Sequence, residues 1–174
     1  MVNLKTFKKT IELLKKNKTR YWVFGGYALD GIRGKITRDH EDIDIYLRAE
    51  DINKFIKLFK SLKYDCYRRE QMYFIDSPKL MIGILPLTEE KKYIIANGNC
   101  TLVKYPKEIF LKDIIVSLDD FSFRIAPKEV LALDYKFSRY KNDREYVRKL
   151  EINKKLAEQI KAFKIRESKQ NKPK

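Results

Sequence analysis

The sequence predicts an α+β fold, and three features of the chain predict it. Apolar residues recur at helical spacing near the N-terminus and again between residues 51 and 63. From residue 64 to residue 125, short β-like runs follow one another with turn residues between them. From Pro127 onward the pattern returns to helix. The chain has 174 residues and is 44% hydrophobic, enough for one folded domain with its own core.

Taken in order, Asn3 is placed to cap a first helix in which Leu4, Phe7, Ile11 and Leu14 form one face, ending near Asn17. Tyr21-Trp22-Val23-Phe24 follows as a short buried strand, which Gly25-Gly26 breaks. A short helix from Tyr27 to about Arg33 stops at Gly34. Residues 35 to 41 read as a polar loop into a strand from Ile43 to Leu47. Asp51 starts the next helix, with Ile52, Phe55, Ile56, Phe59 and Leu62 on its buried side. Strands are expected at Tyr64 to Arg68, Met72 to Ile75 and Leu80 to Leu87, with Asp76-Ser77-Pro78-Lys79 as the turn between the last two. Asn97-Gly98-Asn99 marks a hairpin between Tyr93-Ile94-Ile95 and Thr101-Leu102-Val103. A further pair, Asp113 to Ser117 and Phe121 to Ile125, flanks Leu118-Asp119-Asp120. One or two helices are expected from Pro127 to about Phe163. The expected organisation is therefore 1–126 with the N-terminal helix, 127–165 as a helical segment packed on it, and 166–174 as a basic, disordered tail.

The 39 Lys+Arg residues against 24 Asp+Glu leave a formal charge of +15. Such an excess favours anionic partners such as nucleic acid, or serves only as a solubilising surface. Cys66 and Cys100 show no CxxC spacing and read as reduced, partly buried thiols of an intracellular protein. The first residues lack a signal-peptide apolar core, and no stretch approaches a membrane span, so a cytoplasmic location is expected.

The most informative segment runs from Gly25 to Ile45. Asp42 and Asp44 stand i, i+2 in a β-branched run, so in a strand both carboxylates project from one face. Two adjacent carboxylates repel by about 4 kcal/mol at an effective dielectric near 20, and a hard cation relieves that repulsion. Magnesium suits such a site, since it binds few carboxylates and completes its shell with substrate phosphates. Gly25-Gly26, at a strand-to-helix handover, fits either a tight structural turn or a backbone cradle for a phosphate.

With these residues in place, the sequence resembles the nucleotidyltransferases of the DNA polymerase beta superfamily. It is most similar to the lincosamide and aminoglycoside 2''-nucleotidyltransferases. The stretch Tyr21 to Asp30, then Gly34-Lys35, then Arg38-Asp39-His40-Glu41-Asp42-Ile43-Asp44-Ile45 carries the resemblance, which covers roughly residues 20 to 150. It implies a mixed β-sheet flanked by helices, with C-terminal helices. It also implies a nucleoside triphosphate such as ATP as donor, Mg2+ or Mn2+, and transfer of a nucleoside monophosphate to an acceptor hydroxyl. On the resemblance, Asp42 and Asp44 are metal ligands and catalytic, while Gly25 and Gly26 cradle phosphate. Arg38, His40 and Lys35 are candidates for phosphate contacts, and Asp30 either holds the loop or faces the acceptor. For His40 a buried structural role stands beside the phosphate role.

Two departures qualify the resemblance. The family's third carboxylate, metal ligand and general base, stands three residues before a proline, where this chain has Gly83 in Ile82-Gly83-Ile84-Leu85-Pro86. Asp76, Glu89 and Glu90 are the substitutes nearest in sequence. In the C-terminal region, Asn142-Asp143-Arg144-Glu145-Tyr146 keeps only one of two expected aspartates. Lys136, Arg139 and Lys141 remain there as candidate phosphate contacts. Two functions follow: a metal-dependent nucleotidyltransferase, or a silent module of the same fold that binds nucleotide or RNA. For an active enzyme the +15 charge ranks RNA or another anionic acceptor above a cationic antibiotic. A plain DNA-binding protein is disfavoured by the acidic cluster.

Overall fold

The computed structural model describes residues 1–98, 101–137 and 140–164. Helix α1 (Leu4–Lys16) starts where Asn3 Oδ1 accepts the Thr6 N–H at 2.9 Å, satisfying one of the donors a helix N-terminus leaves open. Its apolar face, Phe7, Ile11 and Leu14, is fully buried. The Phe7 ring stacks on Tyr27 at 4.1 Å and meets Phe123 edge-on at 4.8 Å. The chain then enters β1 (Tyr21–Phe24) and passes directly into α2 (Gly25–Arg33), two residues earlier than the apolar spacing predicts. Gly34 closes α2 in the left-handed region, φ 72°, the usual role of a glycine after a helix.

Strand β2 (Ile43–Arg48) lies at the heart of a mixed sheet. It pairs antiparallel with β1 and parallel with β5 (Leu80–Glu89). Helix α3 (Ile52–Ser61) buries Ile52, Phe55 and Phe59, while Ile56 is half-buried. Leu62, expected on the buried side, is 49% exposed, because it caps the helix and turns outward with the chain. The hairpin β3 (Asp65–Arg69) and β4 (Met72–Ser77) joins the first half of β5. The end of β5 pairs instead with β6 (Tyr93–Gly98), which forms a hairpin with β7 (Thr101–Pro106). Strand β8 (Ile114–Leu118) and β9 (Phe121–Ile125) form the other wing, with β9 parallel to β1.

The C-terminal part is less helical than its sequence predicts. Three short helices, α4 (Lys128–Asp134), α5 (Lys141–Val147) and α6 (Lys154–Ala157), are followed by strand β10 (Lys161–Lys164) on the edge of β7. A run of Lys-Ala-Phe-Lys supplies no continuous apolar helix face, whereas the open edge of β7 offers unpaired backbone groups that an extended segment satisfies. Cys66 is a half-buried free thiol. Cys100, Arg139, the basic tail and Asn99 of the Asn97-Gly98-Asn99 turn lie outside the described residues. Among the described residues no helix is long and apolar enough to cross a membrane.

Alternation along β2 sets the site. Ile43, Ile45 and Leu47 are fully buried on one face, so Asp44 projects from the other. Cross-strand register carries this face sideways as one row: Tyr67, Phe74, Gly83, Asp44, Phe24.

Candidate active site at the β1–α2 turn

Gly25 stands at φ 69°, and a Cβ built on it would run into the Asp44 carboxylate. A Cβ on Gly26 would run into the His40 ring and come within 2.9 Å of Arg38 Nη2. The glycine pair therefore serves close approach: the backbone lies directly against Asp44 on one side and His40 on the other. Gly26, Arg38, Glu41, Asp42, Asp44 and Tyr135 line a cleft of about 170 Å³ that Tyr140 completes.

The cleft is locally acidic. Asp44 is half-buried. Burial of the carboxyl, then the charges of Asp42 and Asp134, push its pKa from the ordinary 3.8 up to about 8, with Arg38 pulling the other way. Asp134, at the end of α4, accepts a hydrogen bond from the Tyr46 hydroxyl at 3.0 Å. Burial of its carboxyl among neighbouring groups raises that pKa to about 7, against the Tyr46 bond. The residue as a whole stays exposed, so cleft water offsets part of this push.

Position 83 adjoins the pair. Gly83 is the register partner of Asp44 across β2 and β5. A Cβ there would lie 3.2 Å from Asp44 Oδ1, 3.7 Å from Met72 Cε and 3.9 Å from Phe74 Cε1. Two apolar side chains thus close over the place where the resemblance expects a carboxylate.

His40 is 4% exposed and its Nε2–H donates to Asp30 Oδ2 at 2.7 Å. Its ring sits 4.2 Å from that of Tyr27, and its carbonyl accepts the Val2 N–H at 2.8 Å. Asp30, 1% exposed, also accepts from the Thr37 N–H and hydroxyl. Asp30, in α2, and His40, in the loop that follows, are thus buried against each other, and Asp30 holds that loop at Thr37. Arg38 lines the cleft, stacks over the Tyr140 ring at 4.0 Å and lies 3.4 Å from Asp143. Asp143, 3% exposed, also takes Arg33 at 3.0 Å, and Arg33 stacks over Tyr146 at 4.2 Å. Lys35 and Lys141 line an adjoining hollow of about 700 Å³ that shares Arg38 and Tyr140 with the cleft.

Other sequence candidates fall elsewhere. Glu89 is bound to Lys107 at 2.6 Å and Arg48 at 3.0 Å, about 20 Å along β5 from Gly83 by strand rise. Glu90 pairs with Lys104 at 3.6 Å in the same quarter. Asp76 is opposite Met81 on β4, two strands and about 10 Å from β2. Four residues at or beside the cleft were not singled out from the sequence: Tyr135 and Tyr140, which line it, and Asp134, whose charge acts on Asp44, with its partner Tyr46. They come from separate elements and share no local motif.

The residues present fit a divalent cation. Asp42 and Asp44 are two carboxylates side by side, and burial, then the Asp42 charge, makes an unneutralised Asp44 carboxylate unfavourable, which a cation would relieve. Among the described residues no group of three His, Cys, Asp or Glu side chains is placed to hold a metal, so further ligands would have to come from substrate or water.

The family model described as aminoglycoside-2''-adenylyltransferase matches residues 6–118. A lincosamide resistance protein of Staphylococcus haemolyticus is 35% identical over 54 residues, 31% of this chain and 34% of that protein, so the chain spans about a third of the length of the curated relative it matches. The lincomycin-bound crystal structure of the lincosamide antibiotic adenylyltransferase LnuA superimposes with a TM-score of 0.67 over 84% of this chain and 95% of that one, at 19% identity. The solution structure of the resistance factor ANT(2'')-Ia matches with a TM-score of 0.61 at 15% identity over 82% of this chain and 78% of that one. These likenesses establish the nucleotidyltransferase fold, and with the family match they show that the chain belongs to the aminoglycoside-2''-adenylyltransferase family.

Proposed function

We propose that the chain is a nucleotidyltransferase that moves a nucleoside monophosphate from a nucleoside triphosphate to an acceptor hydroxyl. The observation that carries this reading is the contact between the Gly25 backbone and the Asp44 carboxylate, with Asp42 beside it. Asp42 and Asp44 would hold Mg2+ or Mn2+, which supplies neutralising charge for the triphosphate and polarises the phosphorus under attack. The helix N-terminus at Gly25-Gly26 offers backbone N–H groups to the phosphates. Arg38, kept in reach by Asp143 and Tyr140, adds a guanidinium to the charge that develops on them. Asp134 adds a carboxylate whose charge reaches Asp44, and in this reading it takes the acceptor proton that position 83 cannot.

Local charge decides the acceptor. The chain-wide +15 favours an anion, but the cleft is lined by Glu41, Asp42 and Asp44 against Arg38. A cation there favours the charged form of Asp44, whose pKa is raised to about 8 without one, so a cationic, hydroxyl-bearing small molecule of the antibiotic kind suits that surface better than RNA. The relatives point the same way: LnuA is solved with lincomycin and ANT(2'')-Ia with adenylyl-2''-tobramycin.

A second reading rests on Gly83: with no carboxylate there, the site binds triphosphate without transfer. Incubation with magnesium, each labelled nucleoside triphosphate, and lincosamides, aminoglycosides or total tRNA distinguishes the two, run beside calorimetry of the triphosphate alone. Label on an antibiotic supports the first reading. Tight binding without label supports the second, label on tRNA overturns the acceptor assignment, and no binding removes both.

A further inference from the structure

A second concave site lies at the far end of β1 from the cleft. Lys15, Lys18, Arg20, Asp113, Ser122 and Arg124 line a cavity of about 620 Å³. Tyr21 pairs with Leu47 while Phe24 pairs with Asp44, which puts this cavity about 10 Å or more down the strand from the carboxylate pair. In so basic a chain a few lysines on a surface mean little. Here, however, the guanidiniums are fixed. Arg20 stacks on the Trp22 ring at 5.1 Å and Arg124 on the Tyr21 ring at 5.7 Å. Both reach the same carboxylate, Asp113, at 3.4 and 2.8 Å, and Arg124 also donates to the Tyr21 carbonyl at 3.4 Å. The Nε atoms of both arginines are buried without a hydrogen-bond partner.

Four cations therefore line a hollow with one carboxylate: Asp113 takes the two arginines, and Lys15 donates to the Ser122 carbonyl at 2.6 Å. The hollow is net positive, and its two guanidinium planes are already oriented. Orienting a guanidinium costs side-chain entropy, and stacking meets that cost before any ligand arrives. Against a net +3, a carboxylate ligand would leave two charges uncompensated and a phosphate dianion only one, with oxygens enough to accept from both arginines. The size is that of a small-molecule pocket, not of a groove that tracks a nucleic-acid backbone.

We propose that this cavity is a second anion site, separate from the cleft, that takes a small phosphate-bearing molecule between Arg20 and Arg124. Trp22 is the chain's only tryptophan, so its fluorescence reports directly on the Arg20 guanidinium stacked upon it. The full chain is titrated with inorganic phosphate and with glucose 6-phosphate, against chloride at matched ionic strength. A saturable change is expected with the phosphates and not with chloride, at least tenfold weaker in Lys18→Gln and Arg124→Gln, and retained in Arg38→Gln, which removes the cation of the cleft. Tighter binding of the ester assigns a phosphorylated metabolite, and equal binding assigns free phosphate. The proposal is overturned by a response equal to that of chloride, by one that survives both cavity variants, or by one that Arg38→Gln abolishes, which would place the anion in the cleft. Because Lys18 is exposed, its variant keeps the test valid should Arg124→Gln fail to fold.

Discussion

The two walls of the cleft are built by different physics. One wall, from β1 through α2 to β2, is made by backbone: glycines at 25 and 26 let main chain lie against Asp44 and His40. The other, from α4 and α5, is made by side chains: Asp134 tied to Tyr46, and Asp143 clasped by Arg33 and Arg38 with Tyr146 and Tyr140 stacked outside them. A wall made by backbone tolerates almost no added volume. A wall made by ion pairs tolerates volume but not loss of charge.

That contrast is tested first where the effect is largest. Gly25→Ala puts a methyl into the space the Asp44 carboxylate occupies, at a φ that L-residues rarely adopt; we expect a loss of about 3 kcal/mol in unfolding free energy by denaturant titration. Gly34→Ala, also at positive φ but with open space around it, should cost only about 1 kcal/mol. Equal losses would mean that strain alone, not the contact with Asp44, requires glycine at 25.

Next comes the charged wall. Asp143→Ala leaves Arg33 and Arg38 facing each other without their shared carboxylate, and a loss of about 2 kcal/mol is expected. Triphosphate affinity, read by calorimetry, should fall with it if Asp143 is what presents Arg38 to the cleft. An unchanged affinity in a folded variant would confine Asp143 to packing.

Asp44→Asn should act in the opposite sense. A carboxyl raised to about 8 in the fold and near 3.8 when unfolded makes folding take up a proton between those values, so stability falls as pH rises from about 4 to about 8. The amide removes that loss. The metal-free variant should be more stable by about 1 kcal/mol, with the gain in Tm larger at pH 8 than at pH 5. Magnesium should raise the Tm of the parent chain and not of the variant. A Tm that drops at pH 8 would mark Asp44 as a structural residue.

Gly83→Asp is subtler, since the new Cβ lies 3.2 Å from Asp44 Oδ1 and brings a third negative charge. Without metal the variant should be less stable than the parent chain. With magnesium it should recover more than the parent gains, reflecting a metal affinity about threefold higher or more, and transfer should appear or increase. An identical magnesium-induced Tm shift in both proteins would show that position 83 does not share the metal.

These differences also explain what could be read from the chain alone. The Gly25-Gly26 and Asp42–Asp44 signals are local, lying within twenty residues, so that wall was legible, although Asp42 falls just before β2 and only Asp44 is set by strand alternation. The place of Gly83 beside the pair followed from the resemblance, and its pairing with Asp44 is seen only in the fold. The second wall depends on contacts between residues about 90 to 110 positions apart, such as Tyr46 with Asp134 and Arg33 with Asp143. No spacing rule encodes those. Glu89 was near in sequence to the gap at 83 but sits at the wrong end of a ten-residue strand, and strand β10 has too few residues to announce itself by periodicity.

The smallest effect belongs to Asp30, which ties α2 to the loop that follows it through Thr37 and His40. Burial pushes its carboxyl up, but hydrogen bonds from His40 and from the Thr37 hydroxyl and N–H outweigh it, and the net pKa lies below the ordinary 3.8. A carboxyl lowered on folding contributes stability that is fully present above the unfolded value and disappears as pH falls through the folded one. The gap in Tm between the parent chain and Asp30→Asn should therefore stay constant from pH 7 to about 5 and narrow only below about 4. Because burial opposes the hydrogen bonds, that narrowing should be modest. A gap that already narrows between pH 7 and pH 5 would mean that a group other than the Asp30 carboxylate governs the loop.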